Sequence, residues 1–200
     1  MAEPAHSTLL ASLDHELWLV TAQAGDRRGG LIATFVNEAS IAPDLPRMVV
    51  GLARQHYTWE IVEAAGAFAL HLLDQDQLDW VWRFGLQSGR RLDKFTGLTV
   101  TSGATGSPLL DDAVGWLDCR VEARLHTGDR TIYLAEVVQS RVAHVGPPLT
   151  LKRLLQLASA DQLRELKLQR NRDAGVDADA IRAWRSPAGR SSTPDGKDAP

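Results

Sequence analysis

Apolar positions along this chain come in short blocks separated by clusters of glycine, proline, aspartate and other polar residues, which is the rhythm of a sheet protein. Residues 16–22 are dense in β-formers and read as a first strand. The turn cluster at residues 25–30 folds it back as a hairpin onto an apolar segment over 31–40. A break at Ala42, Pro43 and Asp44 precedes a third strand over 47–53, and residues 67–73 form a fourth. A brief strand is expected at 98–100, then a loop through 103–108. Two long strands follow at 113–125 and 131–142, joined by a turn at Thr127, Gly128, Asp129 and Arg130. Helical segments are few: 7–13, 59–65 stopped by Gly66, and 75–84. About seven β segments with short helices between them predict a mainly β chain closed as an antiparallel barrel. No strand alternates with a long helix, as a parallel sheet requires.

Past Pro147 and Pro148 the pattern changes. Residues 149–172 are leucine-rich and helical, and Ser159 with Gln162 has the spacing of a capping box, so two helices should meet near Ser159. A further helical turn or two is expected over 177–184, and residues 185–200 read as a disordered tail. Leu151, Leu154, Leu155, Leu157, Leu163, Leu166 and Leu168 need cover, from the barrel's outer face or from a second copy of the chain.

Charge is divided between the two parts. Residues 1–149 hold 12 Lys/Arg against 18 Asp/Glu, and residues 150–200 hold 10 against 7. An acidic body with no polybasic patch gives no reason to expect nucleic acid. No apolar run approaches a membrane span of about 18 residues, and the N-terminus has no signal-peptide pattern, so a cytoplasmic location is expected. Cys119, the single cysteine, reads as a buried structural thiol. The six histidines lack HxxxH or HxH spacing, so no metal site is expected. His71, alone among apolar neighbours, reads as a hydrogen-bonded core histidine. Trp80 and Phe84, four apart, read as core packing.

The dinucleotide fingerprint, the P-loop and the nucleophile elbow are all missing. What remains is the polar loop at 54–58, where Arg54 and His56 precede a helix start with Thr58 as the expected N-cap. A helix N-terminus beside cations suits an anion such as a phosphate. Glu60 in the first turn competes for that field, and an ordinary capped helix behind a polar loop is the alternative. A barrel without its own acid, base or nucleophile can still do chemistry through a cofactor.

In order and spacing, three regions resemble the flavin reductase-like family over about residues 10–145. Residues 30–40 match in length the segment G-M-T-A-S-x-F-T-S-V-S, with Ala33, Thr34 and Ser40 in matching places. Residues 51–58 match a strand end, a polar loop with Arg, and a Ser/Thr before a helix. Residues 91–98, 107–113 and 115–119 resemble the D-K-F-x-G, P-L-L-x-x-A and W-L-E-C runs. The resemblance implies a split β-barrel over residues 1–146 that binds FMN, FAD being the lesser alternative. The leucine-rich pattern gives a helical segment over 147–184, packed on the barrel or on a dimer partner, where many members have an extended ending. Ala33, Thr34, Phe35 and Asn37 would line the isoalloxazine. Gly51, Leu52, Arg54, Gln55, His56 and Thr58 would hold ribityl and phosphate, with Lys94 assisting. The implied activity is that of a homodimeric oxidoreductase taking electrons from NAD(P)H or a redox partner protein, with no ionisable catalytic residue. A non-enzymatic FMN electron carrier, and a barrel without catalysis serving as a binding or structural module, are the alternatives. Ala53-Arg54-Gln55-His56 stands where relatives often have Asn-Arg-Ser-Ser, and Asn37 and Glu38 replace Thr and Ser. Gly128-Asp129-Arg130 stands where many have Gly-Asp-His, which makes Arg130 the substrate-side candidate at the flavin's open face or rim.

Overall fold

The computed structural model describes residues 5–186. After helix α1 (Ala5–Ser12), strands β1 (Trp18–Ala24) and β2 (Arg27–Ala33) form the first hairpin, with Gly25 at its turn in the left-handed region at φ 58°. Then come β3 (Val36–Glu38), β4 (Arg47–Ala53), α2 (Tyr57–Ala65), β5 (Ala67–Leu72) and α3 (Leu78–Leu86). Two-residue strands β6 (Thr101–Ser102) and β7 (Pro108–Leu109) precede the long hairpin of β8 (Gly115–His126) and β9 (Arg130–Val142). Helices α4 (Leu151–Leu157) and α5 (Ala160–Arg185) end the described chain.

The main sheet has seven antiparallel strands in the order β2-β1-β5-β8-β9-β4-β3. Its two edges, β2 and β3, are consecutive in sequence. The chain bends at Thr34 and Phe35 to pass from one edge to the other, which closes the split barrel. This corrects the expectation of one apolar strand over 31–40. A strand cannot bend that sharply and keep pairing on both sides, so the run divides where Thr34 and Phe35 are exposed. The brief strand expected at 98–100 is also displaced. Residues Thr101 and Ser102 pair instead with Leu109 and Pro108, inside what the sequence presents as a loop.

Period-two alternation distributes the side chains between two apolar clusters. Val20 and Ala22 of β1 face the barrel interior with Val50, Leu52, Phe68, Leu70 and Tyr133. Leu19 faces the other way, onto a second cluster made with Leu17, Leu73, Val81, Phe84, Phe95, Leu110, Leu149 and Leu154. Cys119 is fully buried in the barrel interior, and burial pushes its thiol pKa up. His71 crosses between layers: Leu110 N–H donates to its Nε2 (3.1 Å), so Nδ1 carries the proton and donates to Leu19 O (3.1 Å).

The leucine-rich segment starts by docking on the chain's own barrel. Leu149 and Leu154 are buried, while Leu151 and Leu166 pack partly against the second cluster. Leu155, Leu157, Leu163 and Leu168 stay exposed. The capping box at Ser159 forms as read, with Ser159 Oγ accepting from Gln162 N–H and the Gln162 side chain accepting from Ser159 N–H. Beyond it α5 runs unbroken for 26 residues, rather than stopping near 172 and resuming at 177. Gly175 in the middle costs about 1 kcal/mol against alanine, too little to end a helix with contacts on both sides of it. Arg185 is its last helical residue, and most of the expected tail lies outside the described residues. No helix among the described residues is long and apolar enough to cross a membrane.

Candidate functional site

β4 ends at Ala53, and the chain turns sharply into α2. Arg54 N–H donates to Asp129 O (2.9 Å), tying the turn to the β8–β9 hairpin, and His56 N–H donates to Ala53 O (3.2 Å). The N-cap of α2 is His56, not Thr58. Its side chain makes no capping bond, whereas Thr58 is buried inside the first turn behind Gly29. The sequence reading was displaced because a hydroxyl is a good cap only when its residue sits just outside the helix. The first N–H groups of a helix lack intrahelical acceptors, and here no side chain supplies one from the cap position.

That uncapped N-terminus opens into a cleft of about 790 Å³. Gly30, Leu31 and Ile32 of β2 form one wall, and Gln55, His56, Tyr57 and Thr58 another. Residues 84–92 with Lys94 form a third, and Gln169, Arg172 and Asp173 of α5 the last. Ligand sites typically occupy about 300–1,000 Å³. Gly89 allows the loop to approach Tyr57, since a Cβ there would lie 2.9 Å from the ring. Arg90 stacks over the same ring (5.2 Å to its centroid) and pairs with Glu60, so the Glu60 carboxylate is turned to Arg90. The Arg90 hydrogen bond holds the Glu60 pKa below its ordinary value.

Lys94 is buried, and its Nζ donates to Phe84 O (2.9 Å) and Gln87 O (3.0 Å), a cation on the last carbonyls of α3. An ammonium has three donors, and these contacts engage two. Burial pushes its pKa down to about 8. His56 is half-buried, and burial also lowers its pKa. The carboxylates Asp173 and Asp177 oppose that shift, while Lys94 and Arg130 add to it.

Of the residues singled out in the sequence, the cleft gathers Gln55, His56, Thr58 and Lys94. It does not include Ala33, Thr34, Phe35, Asn37, Gly51, Leu52, Arg54 or Arg130. Ala33 and Leu52 are buried in the barrel core, so only their backbones are available to a ligand. Thr34, Phe35 and Asn37 are exposed where the barrel closes. Phe35 lies on Gly51, where an added Cβ would come within 1.9 Å of the ring, and Gly51 N–H donates to Phe35 O (2.9 Å). The Arg54 guanidinium stacks over Trp59 (5.2 Å) and reaches Gly128 O at 3.5 Å, away from the cleft. Arg130 donates from Nε to Asp129 (2.5 Å) and from Nη2 to Asp177 (3.1 Å). Sequence reasoning did not single out Gln169, Arg172 or Asp173, because contacts across 47 to 122 positions leave no local trace. Arg90 was not singled out, and Arg91 entered only as the first residue of the run at 91–98.

The cleft therefore combines an uncapped helix start, basic side chains and a strand edge, on a split barrel. Over 143 residues the chain is 30% identical to the high molecular weight rubredoxin of Moorella thermoacetica, covering 70% of this chain and 62% of that protein. It thus spans less than two thirds of that relative's length. It is 34% identical over 146 residues to the actinorhodin polyketide dimerase of Streptomyces coelicolor, covering 71% of this chain and 79% of that one. Flavoredoxin from Methanosarcina acetivorans shares the fold, with a TM-score of 0.63 at 21% identity over 69% of this chain and 80% of that chain. The model of the flavin reductase-like domain matches residues 10–154, which takes in the whole barrel and α2's cleft wall and stops within α4. On that match this chain belongs to the flavin reductase-like domain family.

Proposed function

We propose that the protein binds FMN in this cleft and works as a homodimeric flavin-dependent oxidoreductase, accepting electrons from NAD(P)H or a redox partner protein. One observation carries the reading: the N-terminus of α2 is left without a side-chain cap and faces a cleft that also holds His56, Arg91 and Lys94. Backbone N–H groups and the helix dipole bind a phosphate there, and the third Lys94 donor adds a charge-assisted bond. The donor set fits a flavin phosphate. Just past the end of β2, two residues on from Ile32, comes the exposed Thr34 at the bend, and the exposed Phe35 and Asn37 follow. These three supply a wall for a flat ring, and the backbones of Ala33, Gly51 and Leu52 lie behind it. When bound, FMN supplies the hydride and single-electron chemistry, and the protein binds and orients it.

Purified protein tests this directly. The expected result is a yellow protein with about one FMN per chain, and binding of riboflavin at least about tenfold weaker than FMN, as loss of a charge-assisted phosphate site implies. Equal affinity for riboflavin would remove the phosphate assignment.

A second reading, an FMN electron carrier that does not use pyridine nucleotides, is favoured by one feature. Arg130 is held between Asp129 and Asp177 instead of being free to meet a nucleotide. Mixing with NADH or NADPH without oxygen separates the two: bleaching of the flavin band supports the reductase, and its persistence supports the carrier.

A further inference from the structure

Helix α5 lies wholly beyond the family-matched region, yet it forms one wall of the cleft. Its half-buried residues Leu166, Gln169, Asp173, Asp177, Ile181 and Trp184 recur every three or four positions, so one face lies on the barrel. The two ends of this face are anchored. Leu166 packs with the second core cluster, and Gln169 Nε2 donates to Gly85 O (3.1 Å). At the other end Trp184 rests on Gly128, where an added Cβ would lie 2.6 Å from the Trp184 Cβ. Between the anchors the face is acidic. Asp173 lines the cleft, and Asp177 accepts from Arg130 (3.1 Å) and from Gln55 Nε2 (3.4 Å). Asp177 thus occupies two donors that an anionic ligand would otherwise find on this side.

We infer that Asp173 and Asp177 are specificity determinants that make the α5 wall negative and poor in donors, so that the cleft takes a flavin ending in one phosphate and rejects one extended through a diphosphate. The inference rests on the flavin reading above. A terminal phosphate at α2 stays on the cationic side. A diphosphate adds a second charged group in the same cleft, where the α5 wall presents the Asp173 carboxylate and Asp177, one turn further on, holds the Gln55 amide. Like charges a few ångströms apart in a half-enclosed cleft repel far more than in bulk water, and salt weakens the effect. Arg172, also on this wall, is paired with Glu165 (3.3 Å) as Asp177 is with Arg130 (3.1 Å), so Asp173 supplies the charge that meets the ligand and Asp177 acts by withholding donors.

The test measures FMN and FAD dissociation constants on the full chain by flavin fluorescence and calorimetry. It compares the natural protein with Asp173→Asn, Asp177→Asn and the double variant. Asp179→Asn is the control, since Asp179 pairs with Arg182 on the exposed face. The natural protein is expected to prefer FMN. The double variant should raise FAD affinity relative to FMN by about tenfold at low salt and less at high salt. Each single variant should give part of that, and Asp179→Asn none. A shift with Asp177→Asn alone would reflect loosened docking of α5 and overturn the charge account, because Asp173→Asn leaves the Arg130 bond in place. An unchanged ratio in both, or an equal shift in Asp179→Asn, overturns it too. A natural protein that binds FMN without discrimination defeats this inference only. One that binds neither flavin defeats the flavin reading and this inference with it.

Discussion

Protonating His71 should destabilise the fold at mildly acidic pH. The ring is fully buried, and Leu110 N–H donates to its Nε2. A proton added at Nε2 would set two donors against each other with no water to intervene. Burial accordingly pushes its pKa from 6.5 down to about 4, against weaker opposing effects of the Leu19 carbonyl and Asp111. The folded state thus holds the neutral ring, whereas the unfolded chain takes up a proton below about pH 6.5. Stability contributed by the neutral ring is complete above that value and declines as pH falls, until the folded protein itself protonates near pH 4. Between about pH 7 and about pH 5 the loss comes to about 2 kcal/mol. That is a sizeable part of the roughly 5–15 kcal/mol that holds a domain together. Urea unfolding at the two pH values, for the natural protein and His71→Gln, isolates this from the half-buried His56 and from the carboxylates, whose stabilisation is lost at lower pH. The pH-dependent loss should be about 2 kcal/mol smaller in the variant. Equal losses would refute the reasoning. If His71→Gln does not fold, the His71 ring proton followed by NMR in the natural protein decides the matter, and titration near pH 6.5 would be the contrary result.

Three further outcomes follow from the same geometry. Gly51→Ala should drive the Phe35 ring off the strand, at a cost of about 1–3 kcal/mol; the double variant with Phe35→Ala should recover most of it, and additive losses in denaturant midpoints would contradict the contact. Because Lys94 carries a pKa of about 8, FMN affinity should decline as pH rises through that value, and Lys94→Met should abolish the decline, as read by fluorescence titration across about pH 7 to 9. Cys119 should resist thiol reagents in the native protein and react at the rate of unfolding, since burial raises its pKa and removes its access; rapid native labelling would show that the barrel opens.

Much of the barrel was legible in the chain because its strands are local patterns. The run of β-formers in β1, the Gly25 turn and the Thr127–Arg130 turn depend on neighbours in sequence, and the Ser159 capping box closes within four residues. The bend at Thr34 and Phe35 was not legible. A run of apolar residues carries no mark of where it changes partner, and the change is imposed by closure of the sheet from β2 to β3. Thr58 misled for a similar reason: its hydroxyl suits a cap, but the helix begins at Tyr57, two residues earlier than expected, and tertiary packing against Gly29 claims the side chain. For the site, the sequence alone determined that a polar, cation-bearing loop precedes a helix. Only the tertiary structure decided which cations share a cleft with that helix, sending Arg54 to Trp59, Arg130 to Asp177, and Lys94 inward to the carbonyls of α3. It also brought α5, more than a hundred residues along the chain, to form the fourth wall. Charge and helical period are written in the sequence one position at a time, but which charges face one another depends on how separate elements pack.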